Sequence, residues 1–326
     1  DQSNMMMPTF TGGIVYDKVS HTVQKNEFDD WDEFNAQQST GGWMAMVQQY
    51  FIAAWIPNQA EPQTFSASSS NNLHKLTNAN PQISLGAGSS ATLAANQLYL
   101  GPKEYGKIEE VATGLNYTLD YGWLDILADP LSWAIHKIND FIDSWGWSII
   151  IITILIKLVF YPLSEKSYRS MAGMRKLSPR LTKLKETYGD DKQKMGQKTM
   201  ELYKKEKINP ASGCLPIMVQ IPVFIAFYWM LLDTVELRQT SFWWLTDLST
   251  QDPYYILPII MGASMFIQQK LNPPPPDPMQ AKIMMSLPFV FTIFFLWFPS
   301  GLVLYWVFNN VLSIAQQWTI NKRINA

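Results

Sequence analysis

Five long apolar segments in the C-terminal part of the chain constrain its fold most strongly. They cover residues 146–164, 214–232, 254–271, 283–299 and 302–320. A membrane-spanning helix needs about 20 mostly apolar residues, and about 17 still suffice. Each segment reaches that length, and five such helices would be unusual as the core of a soluble protein. The sequence therefore predicts five spans in a polytopic α-helical membrane protein.

Charge is divided unevenly along the 326 residues, although the net charge is only −2. Residues 1–144 carry 6 basic and 16 acidic side chains, whereas the remainder carries 19 basic and 11 acidic ones. This division excludes one uniform soluble globule. A single cysteine, Cys214, excludes an intramolecular disulfide and a cysteine-based zinc site. No apolar signal segment follows Asp1, so we expect the chain to be the later part of a longer precursor.

The N-terminal part, residues 1–121, contains many turn-forming residues that separate short apolar segments. Such spacing predicts a β-rich domain, specifically a β-sandwich, with no chemistry of its own. The three histidines of the chain are far apart in the sequence and predict no metal site.

Residues 125–145 change to a helical period, with apolar side chains at three- and four-residue steps and polar ones on the other face. Asp129 is predicted as the helix cap and Pro130 as the first helical residue. An amphipathic helix just before a span would lie in the membrane interface. The pattern leaves one alternative open, in which this helix packs against the N-terminal β-rich domain (the front domain, residues 1–121).

The connections between the spans predict their orientation. Alternate connections, together with the C-terminal tail, hold 17 Lys and Arg on one side of the membrane against 1 on the other. The positive-inside bias places the 17 in the cytoplasm. The front domain then lies outside the cytoplasm, and it needs an earlier anchor.

Residues 165–211 predict an antiparallel helical hairpin, because a break at residues 189–191 separates two apolar stripes. The loop 165–213 holds 13 basic and 6 acidic side chains, which favours anionic lipid or an acidic partner. No base-reading motif accompanies this charge, so no direct binding of nucleic acid is predicted. The predicted recruitment residues are Arg175, Lys176, Arg180, Lys183 and Lys185.

Lys157 is the strongest candidate for a functional residue, because a charge near the middle of a span costs about 2.5–3.5 kcal/mol. Thr153 and Tyr161 lie four residues to either side and would share its helix face. No Asp or Glu lies inside a predicted span, so we expect a wet cavity, open to the cytoplasm, in which the ammonium awaits an anion. Snorkelling of the side chain toward the cytoplasmic end, roughly 10 Å away, is the alternative.

The last predicted span carries a polar stripe that matches the charge in the first. Its members are Trp306, Asn309, Asn310, Ser313, Gln316 and Gln317. Gln220 adds an amide from the second span. The predicted groove is therefore lined by Lys157, Thr153, Tyr161, Gln220, Trp306, Asn309 and Ser313.

Several motifs follow one another in an order that is typical of one family. They include GDDKQ (189–193), LYK (202–204), NP (209–210), GCLP (213–216), QIPVF (220–224), VELR (235–238), QDPYYILP (251–258) and FPSGLVLY (298–305). With the apolar run that begins at Gly146, they resemble the YidC family of membrane-protein insertases, the bacterial branch of the oxidase-assembly and Albino proteins. Residues 41–57 also resemble the periplasmic domain of the proteobacterial members.

The resemblance implies an insertase of the bacterial inner membrane, with a hydrophilic groove open to the cytoplasm and to lipid. It implies nascent membrane proteins, the lipid bilayer, the Sec translocon and the ribosome or its targeting machinery as partners. The family has Arg at the position of Lys157, and Lys keeps the charge but loses the planar two-pronged donor. Trp306 stands where relatives commonly have Tyr. No P-loop, metal cluster or nucleophile triad is present, so neither a cofactor nor an enzyme activity is predicted.

The predicted mechanism guides an acidic substrate tail into the groove while its apolar helix slides along the spans 214–232 and 283–299. The predicted slide residues are Ile217, Ile221, Pro222, Phe291, Phe294 and Phe295. Two alternatives stay open: a secondary transporter or channel in which Lys157 binds a small anion, and an assembly scaffold without insertase activity.

Overall fold

The computed structural model describes residues 10–71, 73–92, 96–189, 191–206, 215–272 and 278–325, without the side chains of 32, 192, 215–217, 278 and 325. Two compact units make up the chain. The first comprises Asp1–Asp125 with Leu232–Glu236, and the second comprises Ile126–Leu231 with Leu237–Ala326.

The first unit is β-rich, as predicted. Among its described residues, eight strands form a five-stranded sheet in the order β2-β1-β4-β5-β8 and a three-stranded sheet in the order β3-β6-β7, with every pairing antiparallel. The strands are β1 (Gly12–Asp17), β2 (Thr22–Glu27), β3 (Gln37–Thr40), β4 (Trp43–Val47), β5 (Phe51–Ile56), β6 (Pro62–Ser70), β7 (Leu73–Ala79) and β8 (Gln97–Pro102). Gly13 of β1 lies close to Trp31 and to Leu76 of β7, since an added Cβ would be 2.7 Å from the Trp31 ring and 3.4 Å from Leu76.

The core of the first unit follows from alternation along the strands. In β4, Trp43, Ala45 and Val47 are buried, whereas the residues between them are half-buried, as expected for a period of two. Ile108 of the short helix α1 (Lys107–Val111) and Leu115 complete this core, and both are fully buried. Each fully buried side chain of this size stabilises the fold by about 1.5–3 kcal/mol.

A buried ion pair between Lys103 and Asp233 lies within the first unit. Lys103 Nζ is 3.0 Å from both carboxylate oxygens of Asp233, and the two side chains are 2% and 7% exposed. Close by in sequence, the Tyr105 N–H donates to Glu236 Oε1 at 3.1 Å. These bonds attach the segment Leu232–Glu236 to the β-rich unit.

The second unit is helical. Its described helices are α2 (Asp125–Ile142), α3 (Trp145–Val159), α4 (Tyr161–Tyr188), α5 (Lys192–Lys205), α6 (Leu215–Asp233), α7 (Ile256–Leu271), α8 (Pro278–Phe294) and α9 (Ser300–Asn325). The first residue of α2 and the last two of α6 belong to the β-rich unit. Helix α9 packs against α3, α4 and α7, so its polar side chains can contact all three helices.

The first predicted span, 146–164, is not one straight helix. Helix α3 ends at Val159, and α4 begins at Tyr161 with a bend of 65°. Pro162 lies in the first turn of α4, a position that tolerates its missing N–H but favours a new helix start. The prediction that Tyr161 shares a helix face with Lys157 is therefore wrong.

Helix α2 begins at Asp125, four residues before the predicted cap Asp129, and Pro130 lies inside it. The Asp125 carboxylate accepts the Tyr121 N–H at 2.8 Å, a bond that spans the preceding 3-10 turn Gly122–Leu124. Pro130 is the sixth residue of this helix, so the Ile126 carbonyl lacks the N–H that another residue at position 130 would donate. The interfacial location of this helix stays a prediction.

Length and hydropathy support fewer spans than the five predicted. Within the described residues, Met279–Trp297 is long and apolar enough to cross a membrane, and the bent pair α3–α4 adds a second if it is one span. Met218–Asp233 and Ile256–Leu271 are apolar but shorter. The count of five spans therefore stays a prediction.

Helices α7 and α8 approach each other closely at Gly262. A Cβ at this position would lie 1.9 Å from Thr292 Oγ1. That oxygen is held in place, because it donates a hydrogen bond to the Pro288 carbonyl at 2.7 Å. The contact between these two helices therefore requires glycine at position 262.

Candidate functional site

Lys157 is buried on α3, two residues before the helix ends at Val159, and is 9% exposed. Its Nζ donates a hydrogen bond to Ser313 Oγ of α9 at 2.8 Å. In the described part of the chain, no carboxylate lies within 4.0 Å of this ammonium. The head group faces α9, which argues against snorkelling and leaves the cation with a neutral partner.

Ser313 connects three helices at the level of Lys157. Its hydroxyl donates to the Asn309 carbonyl at 2.7 Å, so its lone pairs are directed at the ammonium. The Tyr168 hydroxyl of α4 donates to the Ser313 carbonyl at 3.4 Å. Gln316, also on α9, donates from Nε2 to the Lys157 carbonyl at 3.4 Å. Side chains and backbone groups of α3, α4 and α9 thus converge on one point.

The polar stripe predicted on the last span divides between two neighbours. Ser313 and Gln316 face α3, as their bonds to Lys157 show. Asn310 Nδ2 instead donates to Ser264 Oγ of α7 at 3.1 Å, and Gln317 Nε2 bonds to the C-terminal end of the same helix. The stripe therefore serves both as a helix–helix contact and as the surroundings of Lys157.

Asn309 and Gln316 keep unused hydrogen-bonding capacity. Asn309 is buried, and its Oδ1 has no partner among the described residues. Gln316 Oε1 is also buried and has no hydrogen-bond partner among the described residues. An unpaired buried polar oxygen costs about 1–3 kcal/mol, so both atoms favour a polar occupant beside them.

Thr153 and Tyr161 are less closely joined to Lys157 than predicted. Thr153 is 1% exposed, and its hydroxyl donates to the Ile149 carbonyl of its own helix at 2.6 Å. Tyr161 is half-buried beyond the bend. Within the described residues, no hydrogen bond connects either hydroxyl to Lys157.

Gln220 and Trp306 lie on α6 and α9. Gln220 Nε2 donates to the hydroxyl of Tyr305 at 2.8 Å, which orients a residue that the sequence did not single out. The Trp306 ring packs edge-on against Phe224, with centroids 4.5 Å apart. Its Nε1 has no partner among the described residues.

Exposure separates the predicted slide residues. Those that keep an exposed or half-buried apolar side chain are Ile221, Pro222, Phe291 and Phe294. Phe295 is 2% exposed, because its ring packs against Trp306 and Phe298 at 5.4 and 4.9 Å. The prediction that Phe295 is a slide residue is therefore wrong, because its buried side chain cannot contact a passing segment. The side chain of Ile217 lies outside the described part of the structure.

Helices α4 and α5 enclose a cleft of about 380 Å³ in the predicted recruitment hairpin. Its charged lining residues are Arg180, Lys183, Lys198, Lys205 and Glu201. Arg180 also pairs with Glu206 at 2.6 Å. The remaining predicted recruitment residues, Arg175, Lys176 and Lys185, are exposed elsewhere on α4.

Tyr168 is the site residue that the sequence did not indicate. It follows Lys157 by eleven residues, about three helical turns, but it belongs to the charged segment after the bend. Burial raises the pKa of its hydroxyl. The hydroxyl therefore stays a neutral donor at physiological pH.

Comparisons with known proteins match both units. Residues 137–326 match the family described as 60Kd inner membrane protein, and residues 1–134 match the YidC periplasmic domain. A solved structure titled "Active YidC insertase crystal structure with the first transmembrane domain resolved" shares the fold, with a TM-score of 0.54 and 19% identity over 94% of this chain and 82% of that one.

Two curated relatives carry the name membrane protein insertase YidC. The protein of Ruthia magnifica subsp. Calyptogena magnifica is 66% identical over 100% of this chain and 60% of its own length. That of Methylobacillus flagellatus is 53% identical over 98% of this chain and 58% of its own length. The chain thus spans about 60% of the relatives that it matches. Because the matched family covers more than half of the sequence, this chain belongs to the 60Kd inner membrane protein family.

Proposed function

We propose that this chain is a membrane-protein insertase, which moves nascent segments from the cytoplasm into the lipid bilayer through a groove bearing one cation. The family supports a location in the bacterial inner membrane, with the β-rich unit in the periplasm. Curated relatives bear the name insertase, and they are longer than this chain.

The buried Lys157 ammonium is the observation that carries this proposal. Its nearest described polar partner is the neutral Ser313 hydroxyl, so its charge is available to an anion from outside the chain. Two unit charges 4 Å apart attract each other by about 4 kcal/mol at an effective dielectric constant of 20. A carboxylate in the outer tail of a substrate would supply that anion. No covalent step is needed.

The surroundings of Lys157 suit a hydrophilic tail that passes through the membrane. Asn309 and Gln316 offer unpaired carbonyl oxygens to N–H groups of the tail. Hydrogen bonds of this kind lower the cost of burying polar backbone, which otherwise amounts to about 2–7 kcal/mol per group. The polar face of α9 thereby replaces part of the water that the tail leaves behind.

The apolar helix of the substrate moves along exposed apolar side chains of α6 and α8. Ile221 is 50% exposed and Phe294 is 40% exposed, so both can contact a hydrophobic segment. Transfer of that segment into lipid drives release, and a membrane potential adds about 2.3 kcal/mol per charge per 100 mV for an acidic tail. Ile221, Pro222, Phe291 and Phe294 would form this path.

The α4–α5 hairpin lies in the cytoplasm in this proposal, as the C-terminus does, and it receives the substrate first. Four basic side chains at its cleft would attract an acidic segment or anionic lipid. The Sec translocon and the ribosome or its targeting machinery are the proposed partners there. Helix α2 lies at the outer membrane surface, since Trp133 and Phe141 are 58% and 89% exposed.

Reconstituted vesicles test the role of the cation with a single-span substrate that has a short acidic tail. Lys157→Ala is expected to lower its insertion about tenfold or more, and Lys157→Arg is expected to retain it, because only the first removes the charge. Lys166→Ala is the matched control, since Lys166 is an exposed lysine on α4. Normal insertion by Lys157→Ala would show that the groove charge has no role.

Crosslinking distinguishes an insertase from a transporter or scaffold. Photoreactive groups at Ile221 and Phe294 are expected to capture the apolar segment of an arrested nascent chain, and Met230, which is fully buried, serves as the control position. Capture at the control position alone, or at none of the three, would contradict the proposed path.

A further inference from the structure

We propose that Ser313 is the positioning residue of Lys157 and makes the site selective for acidic tails. This inference rests on the proposed function, because selectivity matters only if a tail passes the ammonium. Ser313 does not contact the substrate in this scheme. It acts through Lys157, by fixing where the charge stands.

The direction of the Ser313 hydroxyl is set by its own bond. Its proton is donated to the Asn309 carbonyl at 2.7 Å, so the oxygen can only accept from Lys157, at 2.8 Å. An ammonium has three N–H donors, and Ser313 takes one of them. The other two have no partner among the described residues, and two donors match the two oxygens of a carboxylate.

Neighbouring bonds prevent Ser313 from moving away from Lys157. Tyr168 of α4 holds the Ser313 carbonyl at 3.4 Å, and Gln316 of α9 holds the Lys157 carbonyl at 3.4 Å. Both backbones are therefore tied at the same level, just before α3 ends at Val159. The lysine side chain has four rotatable bonds, so without Ser313 its head group would sample positions outside this point.

The alternative is that Ser313 merely completes helix packing. In that case Ser313→Ala would impair every substrate equally and leave the chemistry of Lys157 unchanged. Positioning instead predicts a change that depends on the charge of the tail and is visible at the amine itself. Two measurements on the full chain separate these explanations.

The first measurement is the rate at which Lys157 is acylated by an amine-reactive ester, followed by mass spectrometry of the chain in lipid. Ser313→Ala is expected to increase this rate about tenfold, because the amine loses its fixed partner and becomes accessible. Ser313→Thr keeps a hydroxyl and is expected to restore the slow rate. Ser264→Ala is the matched control, because it removes a buried hydroxyl of α7 that bonds to Asn310 of α9. It should leave the acylation rate of Lys157 unchanged. An unchanged rate in Ser313→Ala would overturn the proposal.

The second measurement compares insertion of two single-span substrates that differ only in an acidic or a neutral tail. Ser313→Ala is expected to lower insertion of the acidic one about tenfold and to leave the neutral one within twofold. Equal losses for both substrates would overturn the positioning role. In a Lys157→Ala background, Ser313→Ala should have no further effect on the acidic substrate. The labelling result does not depend on insertion, so it separates failure of this inference from failure of the proposed function.

Discussion

In the described part of the chain two lysines are buried, one in each unit, and they differ in what holds them. Lys103 in the β-rich unit faces both oxygens of Asp233 at 3.0 Å. Lys157 in the helical unit faces the hydroxyl of Ser313 at 2.8 Å. The first cation is neutralised within the chain, whereas the second has a partner without charge.

Under the proposed function, this difference separates a structural charge, Lys103, from one that serves the substrate, Lys157. Burial of an ion costs several kcal/mol even after relaxation, and a carboxylate at hydrogen-bonding distance offsets much of that cost. Lys103 is therefore committed to holding the segment Leu232–Glu236 to the β-rich unit. Lys157 retains its attraction for an anion from elsewhere. Burial alone does not identify a site, and the partner of the buried charge must be known as well.

Removal of one member of the paired charge should give the largest effect. Lys103→Met leaves the Asp233 carboxylate buried without its cation, which typically costs about 3–5 kcal/mol. Amide hydrogen exchange of the full chain should accelerate in β8 and in residues 232–236. The double variant Lys103→Met with Asp233→Leu removes both charges and should recover most of the loss. Unchanged exchange in the single variant would contradict a structural role for the pair.

A carboxylate placed beside Lys157 should neutralise it within the chain, as Asp233 neutralises Lys103. Ser313→Asp places an acid where the hydroxyl now accepts from Nζ, and the pair would neutralise itself. Insertion of a substrate with an acidic tail is then expected to fall about tenfold, or about 1.4 kcal/mol, while the fold is retained. Ser313→Asn supplies a neutral acceptor of the same size as Asp, so it controls for the change in side-chain shape. Full activity of Ser313→Asp would mean that an unneutralised cation is not required.

The solvent-exposed pair of Arg180 and Glu206 should give the smallest effect on stability. Arg180 and Glu206 are 2.6 Å apart, but their side chains are 62% and 33% exposed. Glu206→Gln is expected to change the thermal stability of the chain by less than about 1 kcal/mol, because water screens such pairs. An effect as large as that of Lys103→Met would show that exposure does not govern the strength of these pairs.

Much of this arrangement was predictable from the sequence. Lys157 is conspicuous because it interrupts a long apolar run, and Ser313 belongs to a polar stripe with helical spacing. The β-rich front unit followed from short strands between turn residues. These signals are local, since each depends on residues that are close along the chain.

The remainder depends on contacts between distant segments. The division of the α9 stripe, with Ser313 toward α3 and Asn310 toward α7, is set by how three helices pack. The inward direction of Phe295 and the contribution of Tyr168 arise in the same way. The bend before Pro162 was within reach of the sequence, but the continuous apolar pattern across it concealed the break. The Lys103–Asp233 pair joins residues 130 positions apart, so no local sequence pattern predicts it.

The close approach of α7 and α8 restricts the order in which this protein can evolve. A methyl group at position 262 would occupy the space of Thr292 Oγ1, so a Gly262→Ala change arising first would force the helices apart. The same change becomes tolerable only after a smaller residue has appeared at position 292. The two positions are therefore expected to vary together among descendants, with the loss at 292 as the earlier event.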